Sequence, residues 1–294
     1  MIALIDGDII CYRAGFASQK TIYRFIKTMG GKIEFPNQQK YQVLESLKKL
    51  NMTNADGNLQ KIIVPDVEAH ALQIVYNIVT EILKTTGADS YEIYLTSNDK
   101  TNFRYSVAKR LPYKGNRKQP RPAHYDLIRD YLEAKYKAIV ISNMEADDEL
   151  GIRMMECKQD AIICTIDKDL NMIPGAHYNF VTKNLYTTSD PGNLKLDKDK
   201  RKLVGGGLIW FYSQLLLGDS SDNIPGIPGY GPVKVFNALK DIKTEDKMLE
   251  VVYNIFKKEY KEKAKDNLAE VMDLLWIQRE RCFKWKSHIL NKIS

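Results

Sequence analysis

The chain has 294 residues, 44% hydrophobic and 28% charged, and its 44 Lys and Arg against 37 Asp and Glu give a net charge of +7. A chain of this size buries about 75% of the surface its unfolded form exposes, enough for a real core in one large domain or two fused ones. That composition excludes a disordered chain, and no apolar run reaches the ~20 residues of a membrane span; the longest, 208–217, is broken by Ser213 and Gln214. Apolar residues start directly after Met1 with no basic leader, so no signal peptide is expected. Cys11, Cys157, Cys164 and Cys282 lie far apart without a CxxC pair, which suits a reducing cytoplasm. His70, His124, His177 and His288 are equally dispersed, which argues against zinc. The positive surplus favours an anionic partner.

In chain order, the first predicted element is a short apolar strand at 2–5. Residues 30–65 are polar, with Gly30-Gly31, Asp56-Gly57 and two prolines, and read as a surface insertion or small hairpin. A helix follows over 66–86, where Val67, Ala71, Ile74, Val75, Ile78, Val79, Ile82 and Leu83 recur at helical spacing, between Asp66 as N-cap and Gly87 as stop. Strand 91–95, helix 124–135, strand 138–141, helix 145–157, strand 161–165 and strand 178–181 come next. Strands alternating with helices predict an α/β fold with a largely parallel sheet. Residues 189–207, with Asp190-Pro191-Gly192 and a mixed-charge run, read as a seam before a helical region at 208–294. The expected organisation is therefore a core at 1–188 and an integrated helical region at 208–294.

The acids fall at strand ends. Strand 2–5 is followed by Asp6 and Asp8, and strand 91–95 by Asp99. Strand 138–141 leads to Glu145, Asp147 and Asp148, and strand 161–165 to Asp167 and Asp169. In an open parallel sheet, ligands gather beyond the carboxyl ends of the strands, so four strands deliver acids to one edge. Concentrated carboxylates repel unless cations compensate them, and an all-oxygen set suits Mg²⁺ or Mn²⁺. Each acid alone reads equally as a turn former or helix cap; Asp8 is as readily a cap as a ligand, and Glu149 turns away on its helix.

Between Lys100 and Arg121 lie eight basic residues and no acid: Lys100, Arg104, Lys109, Arg110, Lys114, Arg117, Lys118 and Arg121, interleaved with Phe103, Tyr105 and Tyr113. Basic charge tracks phosphates while aromatic faces stack on bases. Lys114 and Arg117 are placed to polarise a reacting phosphate. Further on, the string from Gly218 to Pro232 contains Asp219 and Asp222, then Gly226, Gly229 and Gly231, whose backbone can approach a phosphate closely. Pro232 suits the first position of the next helix, and Lys234 adds a charge in its first turn.

These residues resemble the flap-endonuclease-like 5′ nucleases, a family that includes polymerase-associated 5′ nucleases and phage 5′–3′ exonucleases. The resemblance rests on Glu145-Ala146-Asp147-Asp148, Asp167-Lys168-Asp169 and the Gly218–Gly226 string, supported by Asp6-Gly7, Arg13 and the Tyr113–Arg117 string. It implies a PIN-like 5′-nuclease fold with a helix–three-turn–helix at about 208–240. It implies a metal-dependent nuclease acting on DNA 5′ ends, nicks, flaps or junctions in replication or repair, in the cytoplasm of a bacterial cell or phage-infected host. By motif, Asp6, Asp99, Glu145, Asp147 and Asp148 form one metal site, and Asp167, Asp169, Asp219 and Asp222 the other. Two Mg²⁺ are implied, with Mn²⁺ as substitute and K⁺ at the helix–three-turn–helix. Arg13, Lys114 and Arg117 would contact the reacting phosphate. Arg104, Lys109, Arg110, Lys118, Arg121, Gly226, Gly229, Gly231 and Lys234 would hold DNA. Replication proteins are the partner class the resemblance implies.

Two departures stand out. Only residues 118–123, with Pro120 and Pro122, separate Arg117 from the next helix, which leaves little room for a helical arch. The 30–65 insertion has no family counterpart. A non-catalytic DNA-binding scaffold is an alternative, though it has no reason to keep mutually repelling acids. A ribonuclease H-like activity is a second alternative; ribonucleases with such an acid site lack the Gly218–Lys234 hairpin, which counts against it, but an RNA–DNA hybrid stays open as a substrate because backbone gripping reads shape more than sequence.

Overall fold

The computed structural model describes residues 1–197, 199, 202–281 and 286–293. Cys282 lies outside the described residues. The chain forms two compact units: Met1–Ile9 with Thr80–Gln119 and Tyr136–Ser294, and Ile10–Val79 with Pro120–Lys135.

The elements in chain order begin with β1 (Ile2–Asp6), α1 (Gly7–Ala17), β2 (Gln19–Lys27), β3 (Lys32–Pro36), α2 (Lys40–Lys49) and β4 (Gly57–Pro65). They continue with α3 (Glu68–Thr86), β5 (Ser90–Thr96), α4 (Arg104–Val107), α5 (Tyr125–Tyr136), β6 (Ile139–Ile141) and α6 (Ala146–Cys157). Next are β7 (Ala161–Cys164), β8 (Gly175–Asn179), β9 (Asn184–Thr188), β10 (Asn193–Asp197) and β11 (Lys202–Gly206). Last come α7 (Leu208–Leu217), β12 (Gly218–Asp219), β13 (Ile224–Pro225), α8 (Pro232–Leu239), α9 (Glu245–Tyr260) and α10 (Ala264–Leu275).

The first unit is built on a sheet ordered β6-β5-β1-β7-β8-β9. Its first five strands are parallel and β9 returns antiparallel to β8. Strand β1 lies at the centre with Ala3, Leu4 and Ile5 fully buried, as a near-continuous apolar strand must be when both sheet faces are covered. Helix α7 is buried along most of its length because Ile209, Phe211, Tyr212, Leu215 and Leu216 enter the same core as Leu150 and Met154 of α6 and Leu268 and Met272 of α10. This is the α/β architecture expected, with a C-terminal helical region. Residues 118–123 contain no helix.

The second unit contains an antiparallel sheet ordered β3-β2-β4. Helix α2 covers one face of it, where Phe25 and Phe35 meet Val43 and Leu47. The segment expected to be a small hairpin is thus a folded module with its own core, and its first strand starts at Gln19. The 189–207 seam likewise contains a hairpin, β10–β11. Its glycines and charges hide the alternation of Leu194 and Leu196, which are partly buried against the main core.

Candidate active site

Strand β1 delivers Asp6 to the carboxyl edge of the sheet, where it is 1% exposed. Gly7 follows because a Cβ there would sit 2.6 Å from the Tyr94 carbonyl oxygen on β5. Asp6 Oδ1 accepts the Ile9 N–H at 3.0 Å and Oδ2 accepts Thr165 Oγ1 at 2.7 Å. Asp8 Oδ2 accepts the Thr96 N–H at 3.1 Å, pinning the first turn of α1 to the end of β5. Burial, then the neighbouring charges of Asp8 and Asp167, push the Asp6 carboxyl up to about 7.

Helix α6 opens at the same edge. Glu145 is its N-cap in a capping box with Asp148. Asp147, in the first turn, is pushed well above the usual carboxylate range by burial and by Asp6, Asp167 and Glu145. Glu145 is lowered instead: burial opposes its charge, but Lys114 and Arg104 more than offset this. Past β7, the Asp167 N–H donates to Thr165 Oγ1 at 3.0 Å and Asp167 Oδ1 accepts the Asp169 N–H at 2.8 Å, a tight turn that presents both acids. Burial raises Asp167, and burial with Asp167 beside it raises Asp169 to about 7.

The loop 112–117 is laced to the turn 219–223. The Lys114 N–H donates to the Asp222 carbonyl at 3.0 Å, Asn116 Nδ2 to the Ser220 carbonyl at 2.6 Å, and Asn223 Nδ2 to the Pro112 carbonyl at 2.9 Å. Arg117 Nη2 donates to Asp222 Oδ1 at 2.6 Å. Lys114 Nζ donates to Glu145 Oε1 and lies 3.9 Å from Asp222 Oδ2. The buried Tyr113 hydroxyl touches both acid groups, 3.1 Å from Glu145 Oε2 and 2.7 Å from Asp222 Oδ2. Lys168 Nζ is 2.8 Å from Asp169 Oδ1 and 3.9 Å from Asp219 Oδ2, and Gln214 Nε2 also donates to Asp169. Asp219 Oδ1 accepts the Ser221 N–H and hydroxyl, both at 2.7 Å. Against its burial, these bonds and Lys168 bring the Asp219 carboxyl below the usual range.

One edge of the first unit therefore gathers Asp6, Glu145, Asp147, Asp167, Asp169, Asp219 and Asp222 with Lys114 and Arg117. Tyr113, Thr165, Lys168 and Gln214 also belong to it. Sequence reasoning read Tyr113 as a base-stacking aromatic of the basic run and gave Thr165, Lys168 and Gln214 no role, although Lys168 stands inside a motif string.

Three residues are placed elsewhere. Asp148 is fully buried and receives both terminal nitrogens of Arg104, at 2.6 and 3.0 Å, and the Gln278 N–H at 3.0 Å. Arg104, 2% exposed, spends its remaining donors on the Leu274 and Trp276 carbonyls, so it lies inside the protein and does not face DNA. Asp148 and Arg104 together tie α6 and α4 to the end of α10. Asp99 is exposed and turned aside, its Oδ1 accepting the Thr101 N–H and hydroxyl at 2.9 and 2.7 Å.

Of the other basic residues, Lys109 and Lys118 are exposed. Arg110 pairs with Glu270 at 3.4 Å and lies over the Tyr260 ring. Arg13 and Arg121 are exposed within the second unit, Arg121 lying over Tyr125 at 4.3 Å.

At the glycine hairpin, Gly218 (φ 70°) and Gly226 are packed backbone to backbone: a Cβ on Gly218 would lie 2.2 Å from the Gly226 nitrogen. Gly229 (φ 74°) and Gly231 are exposed, and Pro232 and Lys234 open α8 beside them.

Among the described residues, no group of three or more acids, histidines or cysteines is arranged closely enough to hold a metal ion as it stands. Lys114, Arg117 and Lys168 occupy the oxygens of Glu145, Asp222 and Asp169 instead. The donor set nonetheless fits hard divalent cations: it is all oxygen, Asp6 is buried with Asp147, Asp167 and Asp169 half-buried beside it, and desolvation with like charge raises all four carboxyls.

No protein-family model matches the chain. It is similar to DNA polymerase I of Bacillus caldotenax, with 28% identity over 189 residues covering 62% of this chain and 21% of that one. It is also similar to a 5′-3′ exonuclease of Buchnera aphidicola subsp. Schizaphis graminum, with 25% identity over 256 residues covering 82% of this chain and 72% of that one. The chain spans about a fifth of the length of the polymerase relatives. Its fold matches the crystal structure of the T5 D15 protein co-crystallised with metal ions, with a TM-score of 0.53 and 14% identity over 93% of this chain and 89% of that one. The resemblance read from the motifs therefore holds: the relatives are DNA polymerases I and 5′-3′ exonucleases, on a shared α/β fold.

Proposed function

We propose that this chain is a divalent-metal-dependent 5′–3′ exonuclease or 5′ flap endonuclease that hydrolyses DNA phosphodiesters. The observation that carries this reading is the assembly of seven acids at one sheet edge, with Lys114 and Arg117 held across it by the 219–223 turn. The similarity to 5′-3′ exonucleases and to the T5 D15 protein co-crystallised with metal ions supports it. Asp6, Glu145 and Asp147 would hold one ion, and Asp167, Asp169, Asp219 and Asp222 the other, with Mg²⁺ or Mn²⁺ as the ion. Two bound ions supply a water of lowered pKa and a counter-charge for the departing 3′ oxygen.

The protein's own groups do the rest. Tyr113 holds Glu145 and Asp222 in register by donating to one while positioned against the other. Lys114 and Arg117, released from their carboxylates, donate to the non-bridging oxygens of the scissile phosphate, where negative charge develops. Arg13 serves the same strand in this reading. Gly226, Gly229, Gly231 and Lys234, with K⁺ as the implied ion, would grip the duplex backbone, while Lys109, Arg110, Lys118 and Arg121 extend the phosphate contacts. Products would carry a 5′ phosphate, in replication or repair, with replication proteins as partners.

A panel of 5′-labelled blunt, nicked and 5′-flap duplexes, with one RNA–DNA hybrid, tests this in Mg²⁺ and in chelator. Mg²⁺-dependent release of mononucleotides or intact flaps is expected. Tight DNA binding without cleavage of any substrate would favour the scaffold instead.

A further inference from the structure

Residues 19–65 carry eight basic side chains and three acidic ones, a net +5 of the chain's +7. The sheet register sorts these charges by face, because residues paired across antiparallel strands point the same way and alternate along each strand. Phe25 pairs with Ile33 and Leu59, and Tyr23 with Phe35 and Lys61. These rows lie under α2, since Phe25 and Phe35 pack on Val43 and Leu47. The alternate rows, Arg24 with Glu34 and Gln60, and Ile26 with Lys32 and Asn58, form the opposite face.

On that opposite face each cation has a carboxylate partner. Arg24 and Lys32 share Glu34 at 2.8 and 3.1 Å, and Lys20 lies 3.9 Å from Asp66. The side bearing α2 is different. Lys27 and Lys61 from the sheet, and Lys40 and Lys48 from α2, make no ion pair among the described residues. The acids there are already engaged: Glu45 pairs with Lys49 at 3.2 Å, and the Asp56 carboxylate accepts the Thr53 N–H and hydroxyl. Tyr41 stands 68% exposed on α2, seven residues and so two helical turns before Lys48 on the same stripe.

We propose that the α2 side of this module is a DNA-contact surface outside the hydrolytic site. Lys27, Lys40, Lys48 and Lys61 hold the phosphate backbone and the Tyr41 ring is offered to a base. Four uncompensated ammonium groups on flexible stems match a spaced row of phosphates, which needs point charges more than fixed geometry. An exposed ring among them suits stacking on any base. The identity of the polyanion rests on the nuclease reading; the asymmetry of charge does not.

The test measures affinity for a 20-base-pair duplex with a single-stranded 5′ tail, in chelator, from 50 to 300 mM salt. It compares wild type, the quadruple variant Lys27→Gln, Lys40→Gln, Lys48→Gln, Lys61→Gln, and a control quadruple of the ion-paired cations, Lys20→Gln, Arg24→Gln, Lys32→Gln, Lys49→Gln. The first variant is expected to bind at least about tenfold more weakly, with a log–log salt slope smaller by about 2 to 4, since each phosphate contact contributes about 0.9. The control keeps the wild-type slope. Acetylation of wild-type lysines with and without DNA, read by mass spectrometry, gives a measurement independent of variant folding: Lys27, Lys40, Lys48 and Lys61 should be protected. Wild type that binds and cleaves DNA, with an unchanged slope in the first variant or no protection of these four lysines, overturns this inference alone. Wild type that neither binds nor cleaves overturns the nuclease reading itself.

Discussion

Asp147 and Asp148 are consecutive, yet they serve different ends, because successive residues on a helix point about 100° apart. Asp147 shares the acid edge, while Asp148 turns inward to Arg104. Removing one partner of a buried ion pair leaves an uncompensated charge, so Arg104→Met should cost roughly 3–5 kcal/mol in chemical denaturation, and the double variant Arg104→Met/Asp148→Leu markedly less. Equal losses would show that the pair itself stabilises the fold. The chemistry of the edge was legible from acids following strands; the Arg104–Asp148 bond was not, because its partners are 44 residues apart and each sits in a string that reads as a site. His177 carries a second prediction at this scale. It is fully buried, donates its Nε2–H to the Ile173 carbonyl at 2.8 Å, and burial lowers its pKa below the ordinary 6.5. The unfolded chain then takes up the proton first. This residue's contribution is intact above its unfolded pKa and is lost as pH falls below 6.5 toward the folded value. Unfolding free energies at pH 7.5, 6.5 and 5.5 should decline in wild type by a component that His177→Gln lacks.

Strands β1, β5 and β7 and helices α3, α5 and α6 follow the periodicity of their residues, since each has one apolar side or two. Elements whose partners lie in their own neighbourhood were harder to read. The β2–β3–β4 module buries only a small cluster, Phe25, Phe35, Val43 and Leu47, so its strands alternate weakly and its charges and turn residues dominate the sequence. The β10–β11 hairpin is obscured by glycines: Gly205 and Gly206 end it where a Cβ would press on Asn193 and Thr188. The glycine hairpin after α7 was legible, because Gly218, Gly226 and Gly229 are required by close backbone approach or positive φ, while Gly231 stands in open space. Gly218→Ala places a Cβ on a backbone with φ 70° and 2.2 Å from the Gly226 nitrogen. It should destabilise the chain by more than about 1 kcal/mol and weaken duplex binding more than single-strand binding, as thermal melts and paired affinity measurements would show. An unaltered melting temperature would mean that the turn relaxes freely.

Across the whole molecule, a net charge of +7 conceals three regions of different character. The sheet edge of the first unit concentrates acid that only cations can stabilise, and Lys114, Arg117 and Lys168 satisfy that need in part. The module of the second unit carries most of the surplus positive charge, with Lys27, Lys40, Lys48 and Lys61 on its α2 side and outside any ion pair among the described residues. The glycine hairpin presents backbone in place of charge. The partition follows the proposed reaction: the acids proposed to hold metal are buried or half-buried and ordered by hydrogen bonds, while most of the cations proposed to hold phosphate are exposed. The central claim is that the acid edge is a metal-dependent hydrolytic site, and single-turnover cleavage of a 5′-labelled nicked duplex in Mg²⁺ tests it most directly, comparing wild type with Asp147→Asn and Asp167→Asn, with binding checked in Ca²⁺. Wild type should cleave, and both variants should lose at least about a hundredfold in rate while binding DNA as before, the scale of loss seen when transition-state charge stabilisation is removed. Full activity in either variant would contradict the account.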